Sequence, residues 1–154
     1  MLSKIKTQSG FTLIEVIVVI ALLTILATIV LVAINPTENS KDARNVKRKN
    51  DVLQILNAVN QFYVKEGNLP GNLGTIPESQ VADIKTDDSV GNVEAVICSD
   101  IVPTYIASLP FDTGGSFSSC AAAYDTKYRI TRLPGNRIKV AVAGGEGLGI
   151  EATR

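Results

Sequence analysis

The chain has 154 residues, and its fifteen basic and fifteen acidic side chains balance, which points to neither nucleic acid nor an acidic partner. It contains no histidine, and this excludes Ser-His-Asp and Cys-His catalysis as well as the usual zinc sites. The length allows one membrane segment and one domain of roughly 100 residues. We therefore expect a protein that is not an enzyme.

A short basic leader and a long apolar segment open the chain. Residues 1–10 are polar and carry Lys4 and Lys6, whereas the 24 residues from Phe11 to Ile34 hold a single charge, on Glu15. A helix of that length is about 36 Å long, enough to cross a hydrocarbon core of about 30 Å. An ordinary secretory signal has an apolar stretch of only about 7–15 residues. The pattern predicts a transmembrane helix over 11–35.

Glu15 is out of place in this apolar run. A carboxylate at the centre of a membrane helix costs about 2.5–3.5 kcal/mol, so a plain anchor has no reason to keep it. We expect a cation to pair with it. The alternative is that Glu15 lies at the level of the lipid headgroups and has no role.

The six residues from Gly10 to Glu15, with the sequence GFTLIE, and the apolar run after them resemble the prepilin signature of type IV pilins and type II secretion pseudopilins. The resemblance implies that a prepilin peptidase cleaves between Gly10 and Phe11 and that the new Phe11 amine is N-methylated. In the filament, Glu15 would form a salt bridge with the Phe11 amine of a neighbouring subunit. An assembly ATPase and a membrane platform protein are the further partners that it implies.

Basic residues beyond the apolar run conflict with the orientation that this resemblance implies. They are Lys41, Arg44, Lys47, Arg48 and Lys49. The positive-inside rule would keep the following domain in the cytoplasm. The resemblance implies an extracytoplasmic domain over 36–154, a single-pass precursor in the cytoplasmic membrane, and a final place in a surface pilus or a periplasmic pseudopilus. We follow the resemblance.

The same basic residues have three interpretations. The first is a solvated face, or a face that pairs with acids of neighbouring subunits around the filament core. The second is contact with anionic lipid headgroups, where each cation contributes about 1 kcal/mol. The third is DNA, which is disfavoured because no aromatic residues are interleaved with the charges.

A second helix is expected over about 38–66, after a break at Asn35-Pro36. One of its faces repeats apolar residues at helical spacing. They are Val52, Ile55, Leu56, Val59, Phe62 and Tyr63. Gly67 is placed to end the helix in a left-handed conformation, and Pro70 prevents its continuation.

Cys98 and Cys120 are the two cysteines. In an oxidising compartment a disulfide between them would close a loop of about 20 residues and stabilise the fold by roughly 3 kcal/mol. The alternative is two separate buried thiols.

The second half of the chain contains weaker signals. Residues 71–93 suggest a long loop, with a short helix near 77–85, and residues 94–102 suggest a strand that carries Cys98. Residues 105–112 resemble the Tyr…Leu-Pro-x-Asp-Pro segment of major pseudopilins, although Thr113 replaces the last proline. Alternating apolar residues on both sides of Pro134-Gly135-Asn136 predict an antiparallel hairpin with a turn of at least three residues.

The glycine-rich segment 144–149 lacks the Lys-Ser or Lys-Thr of a phosphate loop, and we expect a flexible tail. Asp83, Asp87 and Asp88 have the chemistry of calcium ligands, but a solvated loop is the preferred interpretation. No metal or other cofactor is therefore expected.

Together these patterns predict an α+β, pilin-like fold. One long N-terminal helix spans the membrane with its first half, and its amphipathic second half packs against an antiparallel sheet of about three or four strands. The expected function is a structural subunit of a pilus or pseudopilus filament. The alternatives are a DNA-uptake pilin and a monomeric, membrane-anchored binding domain, which would have no use for Glu15.

Overall fold

The computed structural model describes residues 10–34, 36–86, 93–144 and 149–154. The chain divides into two compact units at Ser40–Lys41. The leader and the expected break at Asn35 lie largely outside the described residues.

The first unit contains helix α1 (Leu13–Ile34). Its side chains from Leu13 to Ala33 are exposed and apolar on all sides, apart from Glu15 and two threonines. Thr24 and Thr28 donate their hydroxyls to carbonyls one turn earlier, at 2.8 Å from Ala21 O and Thr24 O, so these hydroxyls are satisfied within the helix. By length and composition, the helix that starts at Leu13 is the one helix among the described residues able to cross a membrane.

Helix α2 (Pro36–Glu66) carries the predicted apolar face. Val52, Ile55, Leu56 and Val59 are buried in the core of the second unit, and Phe62 and Tyr63 pack against it. Gly67 follows with a φ of 76° and donates its N–H to Tyr63 O at 2.9 Å. The left-handed end of the helix is thus confirmed.

An antiparallel sheet of four strands in the order β1-β2-β3-β4 completes the fold. The strands are β1 (Val81–Lys85), β2 (Asp125–Leu133), β3 (Arg137–Val142) and β4 (Glu151–Thr153). Pairing of Leu133 with Arg137 leaves a turn of three residues between β2 and β3, which confirms the predicted hairpin. Tyr128, Ile130, Ile138 and Val140 are buried with the apolar face of α2 in one core. The α+β, pilin-like arrangement is confirmed.

Three predicted elements are wrong. The helix expected over 77–85 is replaced by β1, because Ala82 and Ile84 alternate into the core of the sheet. The strand expected over 94–102 is replaced by a single bridge at Glu94 and by helix α3 (Cys98–Ile101), since Ile97 and Ile101 are buried four positions apart.

The flexible tail is the third wrong prediction. Residues 145–148 lie outside the described residues, but the chain beyond them pairs as β4 with β3, with Ala152 opposite Val140. The glycines are therefore followed by an edge strand.

Candidate functional site

The predicted cleavage bond between Gly10 and Phe11 lies just before α1, outside any helix or strand. Both residues are exposed, and α1 begins two residues later at Leu13. A Cβ added to Gly10 would meet no atom of the described part of the chain within 4 Å. Packing among the described residues therefore places no demand for glycine at position 10.

Glu15 closes a capping box with Thr12. The Thr12 backbone N–H and hydroxyl both donate to Glu15 Oε2 at 2.8 Å, and the Glu15 N–H points back to the Thr12 hydroxyl oxygen at 3.3 Å. Thr12 is thus the N-cap of α1, and Glu15 occupies the third helical position. The negative charge also lies at the end of the helix where the backbone dipole favours it.

The capping box contradicts one expectation about Glu15, and it adds Thr12 to the residues expected from the sequence. A carboxylate that caps its own helix has a use in a single chain, so the expectation that a monomeric anchor would have no use for Glu15 is wrong. Thr12 was not singled out in the sequence, although its spacing of three from Glu15, before an apolar run, is the pattern of a capping box.

In the second unit, one of the basic residues after the apolar run is buried in an ion pair. Arg48 Nε donates to both carboxylate oxygens of Asp112 at 2.9 Å, and both side chains are less than a tenth exposed. Arg48 Nη1 also donates to Asn45 Oδ1 at 2.9 Å. The interpretation of residues 41–49 as one solvated face is therefore wrong for Arg48.

A second group of contacts lies beside this ion pair. Lys47 Nζ donates to Asp51 Oδ2 and to the carbonyl oxygen of Phe111, each at 2.7 Å. The Tyr128 hydroxyl donates to the same Asp51 oxygen at 2.7 Å. Burial raises the pKa of Tyr128 above its ordinary range, and the hydrogen bond to Asp51 raises it further. We refer to Lys47, Arg48, Asp51, Asp112 and Tyr128 together as the polar network.

The structure describes both cysteines but only one of the three calcium candidates. Cys98 and Cys120 form a disulfide, with their Cα atoms 5.4 Å apart. Asp83 accepts a hydrogen bond from Arg129 Nε at 2.9 Å, whereas Asp87 and Asp88 lie outside the described residues. Within the described ranges, no three His, Cys, Asp or Glu residues are grouped to hold a metal.

Comparison with protein families gives one match. Residues 5–31 match the model of the prokaryotic N-terminal methylation motif, which is the prepilin-type signature of type IV pilins and pseudopilins. That motif marks structural pilin-type proteins and not a class of enzymes. No curated protein and no solved structure matches the chain. The motif contains Gly10, Phe11, Thr12 and Glu15, and with the apolar helix it fits a membrane-anchored precursor.

Proposed function

We propose that this chain is a structural subunit of a type IV pilus or pseudopilus filament. A prepilin peptidase cleaves the membrane-inserted precursor after Gly10, the Phe11 amine is methylated, and the subunits polymerise through α1. An assembly ATPase and a membrane platform protein supply the energy and the site of assembly. The observation that carries the proposal is the methylation motif over residues 5–31, with its acid in register in the first turn of an apolar helix that the described residues leave exposed.

Exposure of α1 supports polymerisation through this helix. Its large apolar side chains are half or more exposed along its length, for example Val18 at 50% and Leu23 at 57%. Such a surface does not persist in water and must be covered by lipid or by other apolar helices. A filament core made of α1 helices supplies the second kind of cover once the subunit has left the membrane.

The capping box gives Glu15 a partner before assembly. In the single chain the carboxylate is held by Thr12, so it enters the membrane with hydrogen bonds already formed. Cleavage creates a cation at Phe11, and an ion pair between subunits is tolerated in an apolar core when both charges are satisfied. We infer that Glu15 forms a salt bridge with the Phe11 amine of a neighbouring subunit when the filament forms.

We also propose which type of filament this subunit forms. The segment ending in Leu109-Pro110-Phe111-Asp112 favours a pseudopilin, because it resembles the Tyr…Leu-Pro-x-Asp-Pro segment of major pseudopilins; in this fold Leu109 is buried and Asp112 pairs with Arg48. A role in DNA uptake is less favoured, since Lys47 and Arg48 are both engaged by their own chain.

Processing is tested by mass spectrometry of the protein from its host. The proposal expects a mature N-terminus at methylated Phe11. An intact Met1 in assembled, functional protein would contradict it and would support the monomeric membrane-anchored domain.

The role of Glu15 in assembly is tested by a pair of variants. We expect Glu15→Ala to insert in the membrane and to fail to enter filaments beside wild-type subunits, because it removes the acid that pairs with the neighbouring amine. Thr12→Ala is the matched control: it removes the cap and keeps the carboxylate, so it should still assemble. Filament incorporation is measured by shearing and immunoblotting. Equal incorporation of both variants into filaments would contradict the proposed salt bridge.

A further inference from the structure

The outward face of α2, opposite the side that is buried in the core, carries a regular row of uncharged residues. Its seven positions are spaced alternately three and four residues apart, and all are exposed except the half-buried Asn60. They are Ala43, Val46, Asn50, Leu53, Asn57, Asn60 and Val64. We refer to these seven residues as the α2 seam. Nine charged residues lie between positions 41 and 66, and none of them belongs to the seam.

The composition of the α2 seam differs from that of a helix face that meets water. The solvent side of an amphipathic helix normally carries charged and polar residues, whereas the seam exposes 58% of Val46, 48% of Leu53 and 84% of Val64. Alternate steps of three and four residues form the heptad spacing with which two helices wind around each other. The α2 seam therefore fits a second helix.

The asparagines of the α2 seam indicate which helix covers it. A covered amide needs hydrogen-bond partners, because burying it without them costs free energy. Helix α1 of a second copy offers almost only apolar side chains, whereas α2 of a second copy offers the same amides at the same positions. Asn50 and Asn57 are seven residues apart, at equivalent positions of successive heptads, where asparagine fixes the register of a parallel pair.

Two of these amides already have one bond within their own chain. Asn57 Oδ1 accepts from Arg154 Nη1 at 2.8 Å, and Asn60 Nδ2 donates to the carbonyl oxygen of Leu56 at 2.8 Å. Each of these bonds uses one end of a side chain that has both donors and an acceptor. The other end of each amide can therefore bond to the matching amide of a second copy.

The charges beside the α2 seam are complementary in a parallel pair that is in register. In such a pair, the residue directly before one heptad lies opposite the residue five positions later in the partner helix. Asp42 therefore lies opposite Lys47 of the second copy, and Lys49 lies opposite the uncharged Gln54. Lys47 uses two of its three N–H groups within its own chain, and its side chain is 57% exposed. No like charges meet across this pair.

We propose that α2 forms a parallel, in-register pair with α2 of a second copy while the subunits wait in the membrane. This inference rests on the proposed function, because membrane insertion gives all copies one orientation and raises their effective concentration, so that a short seam suffices. A two-fold pair closes on itself, whereas a filament needs contacts that do not close. The pair is therefore a resting form, and it separates when its subunits enter the filament.

Cysteine crosslinking of the full chain, in membranes of a host that lacks the assembly ATPase, tests the proposal. The two native cysteines are joined to each other, so a single added cysteine can form a disulfide only with its copy in a second chain. We expect Leu53→Cys and Val46→Cys to give dimers on mild oxidation. Gln54→Cys, which is exposed but outside the seam, is the matched control and should give about 10-fold less dimer, because a disulfide requires close Cβ atoms.

A substitution at Asn50 tests the role of the amides. In the Leu53→Cys background, Asn50→Asp keeps the shape of the side chain and brings two carboxylates together in the pair. We expect the dimer yield to fall about 10-fold, because like charges that meet across an interface oppose association. Gln54→Glu adds the same charge outside the seam, opposite Lys49 of the second copy, and should not lower the yield. Positions 50 and 54 are both exposed, so neither substitution disturbs the core.

Four results would overturn the proposal. Equal dimer yields from Leu53→Cys and Gln54→Cys would show random collision, and a yield that Asn50→Asp does not lower would remove the amides from the contact. Crosslinking of Leu53→Cys to a cysteine placed in α1, and not to itself, would make α1 the occupant. Dimers found only in sheared filaments would assign the seam to the filament. The methylated Phe11 terminus is measured separately, so failure here is distinguishable from failure of the filament proposal.

Discussion

Asp112 shows how one residue ties α2 to the rest of the second unit. Its carboxylate accepts from Arg48, its backbone N–H donates to Thr126 O at 2.9 Å, and its carbonyl oxygen accepts from Gly115 N–H at 2.9 Å. Removing one member of a buried ion pair typically costs about 3–5 kcal/mol, because the other charge remains buried. The aspartate of the Leu-Pro-x-Asp segment therefore acts in the fold, where it holds Arg48 of α2.

Tyr128 makes the stability of the second unit depend on alkaline pH. Its pKa in the folded state is raised by burial and by Asp51, whereas in the unfolded chain it is about 10. Below pH 10 both states keep the proton; above it the unfolded state loses the proton first. Stability is therefore present in full below about pH 10 and falls as the pH rises further.

We expect the free energy of unfolding to decrease between pH 10 and 11 in wild-type protein, and Tyr128→Phe to reduce that decrease. Burial also raises the pKa of Tyr124, so Tyr124→Phe should reduce the remaining dependence. Urea unfolding at a series of pH values, followed by near-ultraviolet circular dichroism, measures the effect. The same slope in Tyr128→Phe and wild type would contradict it.

Helix α2 illustrates which elements the sequence makes predictable. Its apolar residues repeat over three turns, and its end is marked by glycine and proline, so both the buried face and the terminus followed from local rules. β1 and α3 are five and four residues long, and each is stabilised by partners far along the chain. No local pattern separates a strand from a helix at such lengths.

The functional residues also fall into two groups: those that a local sequence pattern reveals and those that only the tertiary structure brings together. Gly10, Phe11 and Glu15 form a contiguous motif that the sequence shows directly, and the Thr12 cap was present in the same six residues. The ion pair of Arg48 with Asp112 joins positions 64 residues apart, and the hydrogen bond from Tyr128 to Asp51 joins positions 77 residues apart. Such contacts depend on tertiary structure, and composition alone carries no signal for them.

Two neighbouring residues of α2 test its buried face. Ile55 is 0% exposed and Leu53 is 48% exposed. We expect Ile55→Ala to lower the free energy of unfolding by about 2–5 kcal/mol, because it removes buried methyl groups and leaves a cavity. Leu53→Ala is the matched control and should change it by roughly 0.5 kcal/mol or less. Urea unfolding of the detergent-solubilised chain measures both, and equal losses would contradict the placement of this helix face.

At the scale of the whole molecule, the two units depend on different environments. The second has a core of its own, in which α2, the sheet and the disulfide between Cys98 and Cys120 meet. The first consists of apolar helix whose backbone hydrogen bonds are internal and whose side chains need lipid, detergent or other helices. Urea destabilises the core of the second unit far more than the helix of the first unit, because a helix in an apolar phase has no alternative partner for its backbone.

We therefore expect the full chain in detergent micelles to unfold in part. With urea and a reductant, the near-ultraviolet tyrosine signal should disappear, since all four tyrosines lie in the second unit. Helical circular dichroism equivalent to α1 should remain. Ile55→Ala should shift the tyrosine transition to lower urea without changing the residual helicity, whereas a proline at Leu23 should lower the residual helicity and leave the transition in place. Simultaneous loss of both signals in wild type would show that α1 is held by the second unit and not by its apolar surroundings.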